Sequence, residues 1–171
     1  MSYLIKKHRA IILFTAPVRS GKTTALMKWT MGRPHLGGVL APDVDGLRTI
    51  FTLRDRKTHP FQLSEQAIGA GGEEVVRVGR FCFLASALEM VRKTLLEDSH
   101  RAFDWLLIDE IGKLEMEGMG YEPAAGEVIG LYNRGEVPGK LLLVVRSPLL
   151  EGVVEKYRLQ NYQVVQSTEH L

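Results

Sequence analysis

Residues 10–24 read "AIILFTAPVRSGKTT": an unbroken apolar run, a proline, then a short polar stretch ending in a lysine and two threonines. An apolar run without alternation is how a strand covered on both faces reads. The residues that follow the polar stretch suit a short helix over 22–31. Strand, glycine-bearing turn and helix is the arrangement in which backbone N–H groups and a helix N-terminus face a bound phosphate. The string "APVRSGKT", Ala16 to Thr23, follows the P-loop pattern G-x-x-x-x-G-K-[ST] at every constrained position except the first. In that pattern Lys22 reaches the outer phosphates and the Thr23 hydroxyl holds Mg²⁺. Ala16, Pro17, Val18, Arg19, Ser20, Gly21, Lys22, Thr23 and Thr24 form the expected phosphate-binding set. An alanine cannot take positive φ cheaply, so Ala16 is expected either to keep a negative φ or to hold modest strain. A chance "GKT" is common; the strand before it and the helix after it favour phosphate binding.

Outward from this stretch, "RAIILFT" (9–15), "FDWLLID" (103–109) and "KLLLVVR" (140–146) are all continuous apolar runs, which predicts a parallel sheet between helices. Helical patterns separate them. Leu84, Leu88, Val91 and Leu95 share one helix face over 84–98, and Pro123 opens a helix running to about Arg134, stopped by Gly135. "PLLEGVVEKYR" (148–158) leads to a last strand near "YQVVQ". The alternation predicts an α/β fold with a mostly parallel sheet flanked by helices. The segment from about Gly37 to Val78 differs, with an Asp45-Gly46 turn signal and short mixed runs, and reads as an antiparallel β-meander inserted after the first helix, closed by "IGAGGEE" (68–74). Forty-odd residues do not easily bury a separate core, so 1–171 is expected to be one domain.

Composition narrows the partners. Of 171 residues, 22 are Lys or Arg and 20 Asp or Glu, for a net charge of +2, so neither nucleic acid nor membrane binding is implied by charge and an anionic ligand must be caught locally. The single cysteine, Cys82, lies in the apolar "RFCFL" and reads as a packed thiol in a reducing compartment. No apolar stretch approaches the roughly 20 residues a bilayer requires, and "MSYLIKKHR" does not resemble a secretion signal, so a cytoplasmic location is expected.

A P-loop needs a second strand ending in an acid that can serve a metal and its waters. "WLLIDEIGKLE" (105–115) supplies Asp109 in that place, with Glu110 placed to orient and deprotonate an attacking water. The alternative is an ordinary acidic helix start. "SGKTT" followed about ninety residues on by "LLIDEIGKLE" resembles the small nucleoside-triphosphatase family known from thermophilic microbes, which includes the human cancer-related nucleoside-triphosphatase. "DEIGKLE" is the specific part, and "GGVLAPDV" (37–44) resembles the family's glycine-led strand more weakly. The resemblance covers about Arg9 to Val165. It implies a RecA-like P-loop fold and Mg²⁺-dependent hydrolysis of several nucleoside triphosphates, with Lys22, Thr23, Asp109 and Glu110 in the matching roles. Ala16 departs from the family's first glycine, and "EMEGMGYEP" is more glycine-rich than expected.

Hydrolysis spreads negative charge over the γ-phosphate, and a cation there accelerates it. Arg146, at the end of "LLLVVR", and Lys113 are the candidates; a surface arginine, and a lysine neutralising Glu110 or Glu115, are the alternatives. Arg19 is expected to face solvent. The five histidines have no ligand spacing, which argues against zinc, and Trp29 and Trp105 read as core. Tyr121 and Tyr132 have no argued role, and the base pocket is not legible. The leading function is hydrolysis of a nucleoside triphosphate with Mg²⁺. The alternatives are a nucleotide or small-molecule kinase, for which "LRDRK" (53–57) is the nearest candidate lid, and a nucleotide-binding switch protein.

Overall fold

A computed structural model describes residues 10–17 and 19–171. The chain runs through β1 (Ile11–Ala16), α1 (Lys22–Thr30) and β2 (Leu36–Leu40) into six short strands: β3 (Asp43–Val44), β4 (Leu47–Thr52), β5 (Lys57–Pro60), β6 (Gln62–Leu63), β7 (Val75–Val78) and β8 (Phe81–Leu84). Then follow α2 (Ala85–Ser99), β9 (Trp105–Ile111), α3 (Lys113–Met116), α4 (Ala124–Asn133), β10 (Lys140–Arg146), α5 (Leu150–Lys156) and β11 (Tyr162–Val165). The main sheet has the order β11-β1-β10-β9-β2-β4-β3, with β5 added on β4. Its five strands from β11 to β2 are mutually parallel.

The apolar runs are continuous because both faces are covered. Ile11, Leu13, Leu106, Ile108, Leu141 and Leu143 pack on the side of α2 and α4, with Val91, Leu95, Val128 and Ile129. Their neighbours Ile12, Phe14, Leu107, Leu142 and Val144 pack on the other side with Leu26 of α1. Each fully buried leucine or isoleucine contributes roughly 1.5–3 kcal/mol relative to leaving it exposed. Helix α4 begins after Pro123 and ends before Gly135, whose φ of +70° supplies the left-handed stop. No described helix is long and apolar enough to cross a membrane. Cys82 is a buried free thiol.

The segment expected to be one meander from 37 to 78 is divided differently. Gly37, Gly38, Val39 and Leu36 belong to the parallel sheet, opposite Trp105 to Ile108 of β9. The glycines mark close packing: a Cβ on Gly38 would lie 2.0 Å from the Leu107 carbonyl oxygen, and one on Gly37 would lie 2.5 Å from the Phe103 ring. The antiparallel chain starts only after β2. β3, β4 and β5 extend the edge of the main sheet, whereas β6, β8 and β7 form a separate three-stranded sheet that reaches Leu84. Asp45 and Gly46, with φ of +52° and +80°, make the expected two-residue turn between Val44 and Leu47. "LRDRK" is the turn from β4 into β5. Arg54 there pairs with the fully buried Asp98 (2.7 Å), whose other oxygen accepts the Gly38 N–H (2.8 Å). Arg56 donates to the carbonyls of Thr30 (3.1 Å) and Arg33 (2.9 Å), so both arginines are engaged in holding the turn.

Candidate active site

Parallel strands deliver their C-terminal ends to one edge, where loops carry chemistry. The P-loop follows β1, Asp109 and Glu110 end β9, and Arg146 ends β10, which lies between them. Register places Ala16 opposite Arg146, and Asp109 opposite Val144 on the other side of β10. Two stretches ninety residues apart thus meet at one edge of the sheet.

Ala16 is the last residue of β1 and does not take a positive φ. The loop takes its left-handed turns at Arg19 (φ +60°) and Gly21 (φ +78°), so alanine at the first motif position carries no backbone strain of that kind. Pro17, Arg19 and Ser20 are exposed; Val18 lies outside the described residues. Lys22 opens α1 and folds back over the loop, donating to the carbonyls of Ala16 (3.1 Å) and Pro17 (3.2 Å). That posture keeps an ammonium group over the concavity of the loop.

The Thr23 hydroxyl donates to Asp109 Oδ2 at 2.8 Å, and the same oxygen accepts the Ala41 N–H at 3.1 Å. Asp109 is 2% exposed, and burial raises its pKa above the usual carboxylate range against the opposing pull of these hydrogen bonds. Glu110 behaves differently. The β9–β10 ladder shifts register here, with Asp109 opposite Val144 and Ile111 opposite Val145, so Glu110 is the extra residue of a bulge. It is half-buried, and its Oε1 lies 2.9 Å from Arg146 Nη2 and 3.9 Å from Arg48 Nη1.

The turn after the acids is built around Glu115, which accepts the N–H groups of Gly112 (2.9 Å) and Tyr121 (2.9 Å) while itself 5% exposed. This accounts for Gly120 of "EMEGMGYEP", while Gly118 serves its own left-handed turn, at φ +79°. Gly120 has φ +66°, and a Cβ there would lie 2.1 Å from Glu115 Oε1. Tyr121 is buried, and its hydroxyl donates to the Asp109 carbonyl at 3.3 Å. Lys113 is not part of this group: its side chain is 81% exposed and its ion pair is with Glu117 at 4.0 Å, not with Glu110 or Glu115. A short α3 that starts at Lys113 turns that side chain outward while Glu115 turns in.

Beside the start of α1 lies a cleft of about 600 Å³ lined by Gly21, Thr24, Ala25, Lys28, Trp29 and Thr168. Trp29 therefore combines two settings, packed edge-on to Trp105 with ring centroids 5.1 Å apart and contributing to the cleft wall. Tyr132, by contrast, is a core residue of α4. Four contributors were not legible in the sequence: the Ala41 N–H, Arg48, Tyr121 and the cleft partner Thr168. Of these only Arg48 lies near a legible feature, two residues past the Asp45-Gly46 turn, which by itself does not point to the acids.

Among the described residues no three His, Cys, Asp or Glu side chains cluster so as to hold a metal ion by themselves. The Thr23 hydroxyl and Asp109 carboxylate are instead a sparse set of hard oxygens. That set suits Mg²⁺, which keeps several waters and takes few protein ligands alongside substrate phosphates.

The family described as NTPase matches residues 11–170. The chain belongs to this NTPase family. The solved structure of THEP1 from the hyperthermophile Aquifex aeolicus is similar with a TM-score of 0.65 at 17% identity, covering 94% of this chain and 91% of that one. At that identity the likeness speaks for the fold, a RecA-like P-loop arrangement, as expected from the sequence. None of the curated proteins matches the chain. Family and fold together make this NTPase-family chain a nucleotide-binding protein of the P-loop type.

Proposed function

We propose that the protein hydrolyses a nucleoside triphosphate to the diphosphate and phosphate with Mg²⁺. The observation that carries this reading is the 2.8 Å hydrogen bond between Thr23 and Asp109, which joins the two motifs at the mouth of the loop. Lys22 and the loop from Ala16 to Thr24 bind the β- and γ-phosphates, with Lys22 exchanging its carbonyl partners for phosphate oxygens. Thr23 and Asp109, already joined by a hydrogen bond, would hold Mg²⁺ beside the phosphates. The metal supplies neutralisation of phosphate charge. Asp109 carries a desolvation penalty for its charge, which a neighbouring cation relieves.

Glu110, half-buried and clear of the hydrogen bonds that occupy Asp109, accepts the proton of the attacking water. Arg146 answers the charge developing on the γ-phosphate. It stands opposite Ala16 in register, between the loop and Glu110, and its present ion pair keeps it near. The cleft along α1 takes the nucleoside half, with Thr24 at its phosphate end. We keep the reducing, cytoplasmic setting expected from composition as part of the reading, on the single cysteine in the sequence, which packs in the core. The kinase reading is weaker, because the arginines of its candidate lid are tied to Asp98 and to backbone carbonyls.

Phosphate release measured with each Mg-nucleoside triphosphate tests the reading. The parent is expected to release free phosphate from several, and Lys22→Ala to lose both affinity and turnover. Transfer of label to an acceptor hydroxyl with no free phosphate would instead identify a kinase.

A further inference from the structure

Glu110 Oε1 faces two guanidinium groups that come from opposite sides. Arg146 Nη2, at 2.9 Å, projects from β10, the immediate neighbour of the P-loop strand. Arg48 Nη1, at 3.9 Å, projects from β4, beyond β9 and β2 from the loop. The two guanidinium groups face an acidic pair, Glu110 and the neighbouring Asp109, whose charge Arg48 also offsets, and only Arg146 stands next to the anion cradle. A γ-phosphate in that cradle would carry more charge than Glu110 and would draw the nearer guanidinium away from it.

We propose that Arg48 is a positioning residue for the hydrolytic step: it holds the Glu110 carboxylate in place when Arg146 turns to the phosphate. The proposal rests on the triphosphatase reading above. Arg48 is held well enough to do this. Its residue is paired across the hairpin with Asp43, and its N–H donates to Gln62 Oε1 at 3.3 Å. The next residue, Thr49, donates from both N–H and hydroxyl to the Pro42 carbonyl at 2.9 Å. The same segment also gives the Ala41 N–H to Asp109. One short excursion, from Ala41 to Arg48, therefore touches both acids, each by a different group. Arg48 is about a third exposed, so its removal leaves no buried orphan charge.

Single-turnover hydrolysis and binding of a non-hydrolysable triphosphate analogue, measured for Arg48→Ala, Arg48→Lys, Glu110→Gln and the double variant Arg48→Ala/Glu110→Gln, test this. Arg48→Ala is expected to lower the hydrolytic rate about 10- to 100-fold, the scale of a misplaced reacting group, with analogue affinity unchanged. Arg48→Lys should recover part of the rate. In the Glu110→Gln background, removing Arg48 should cost nothing further, because the group it positions is no longer a base.

Three results would overturn the assignment while leaving the triphosphatase reading intact: a parental rate in Arg48→Ala, an equal fall in the Glu110→Gln background, or a loss of analogue affinity that accounts for the whole effect. The last would mean direct phosphate contact. Absence of hydrolysis by the parent with every triphosphate would overturn the triphosphatase reading itself, and the assignment with it.

Discussion

The five parallel strands and the antiparallel stretch from Ala41 to Leu84 are stabilised by different means. In the parallel part Leu13, Leu106, Leu107, Leu141, Leu142 and Leu143 are all 0% exposed, and apolar contact on two faces fixes the strand ends. The antiparallel part adds Ile50, Leu53, Phe61 and Cys82 to the core, but β5 and β7 have no fully buried residue and its β4–β5 turn is tied by polar links, Arg54 to Asp98 and Arg56 to two carbonyls. The groups proposed to meet the substrate, Lys22, Thr23, Asp109, Glu110 and Arg146, stand on the first part or on the helix that follows β1. The second part supplies the groups that hold those in place, the Ala41 N–H and Arg48. Two-sided apolar burial is thus densest under the strand ends that carry the acids and Arg146, and the polar contacts to those acids come from the sheet's antiparallel edge.

Core truncation separates the two most strongly. Leu143→Ala should destabilise by about 2–5 kcal/mol, whereas Val76→Ala, at a half-buried position of the three-stranded sheet, should cost roughly 1 kcal/mol. Chemical denaturation of the two variants checks the contrast. Equal losses would mean that the small sheet contributes as much as the main one.

Asp109 sharpens the comparison through pH. Its folded pKa lies above its unfolded value because burial disfavours the carboxylate, so ionisation opposes folding. The penalty is fully present above the folded pKa and vanishes as pH falls below the ordinary aspartate value of about 4. Asp109→Asn keeps an oxygen for Thr23 and Ala41 and removes the charge. In the absence of ligand it should melt higher than the parent at neutral pH, with the gain shrinking as acid is added. It should also lose the stabilisation that Mg-nucleotide gives the parent. Melting curves across pH, with and without Mg-nucleotide, test both parts. A ligand-free Asp109→Asn that melts lower than the parent at neutral pH contradicts the assignment of burial as the dominant cause.

The smallest expected effect lies in the hairpin. Gly46 has φ +80° with no heavy atom within 4 Å of where a methyl group would sit, so Gly46→Ala strains only the backbone, by about 1 kcal/mol. If the turn serves to place Arg48, the variant's hydrolytic rate should fall several-fold while its melting temperature moves by only a few degrees. A rate equal to the parent's would separate the turn from the site.

The parallel half was legible because its physics is local and repetitive. Two-sided burial writes itself as "LLIDE" and "LLLVV", and a phosphate cradle needs a lysine and a hydroxyl at fixed spacing. The pairing of β10 between the two motif strands then followed from the fold. The antiparallel half was less legible for a matching reason. The sequence groups Gly37 and Gly38 with the antiparallel meander, and only the family resemblance marks a glycine-led strand there; the glycines are required by the approach of β2 to Leu107 and Phe103, a contact between segments nearly seventy residues apart. Lys113 looked catalytic through its neighbours, but the direction in which a one-turn helix sends its first side chain depends on Glu115 taking the interior. Arg48 comes to the acids through strand pairing, and Thr168 to the cleft through a turn after the last strand, neither of which a spacing rule expresses.

The central claim is that Glu110 acts on water beside a triphosphate held by Lys22 and Thr23. The most direct test compares Glu110→Gln with the parent for Mg-dependent analogue binding and for phosphate release under the same conditions. The expected result is retained affinity with turnover reduced by about 10²–10⁴-fold, the contribution of a general base. Phosphate release from Glu110→Gln equal to that of the parent would contradict it.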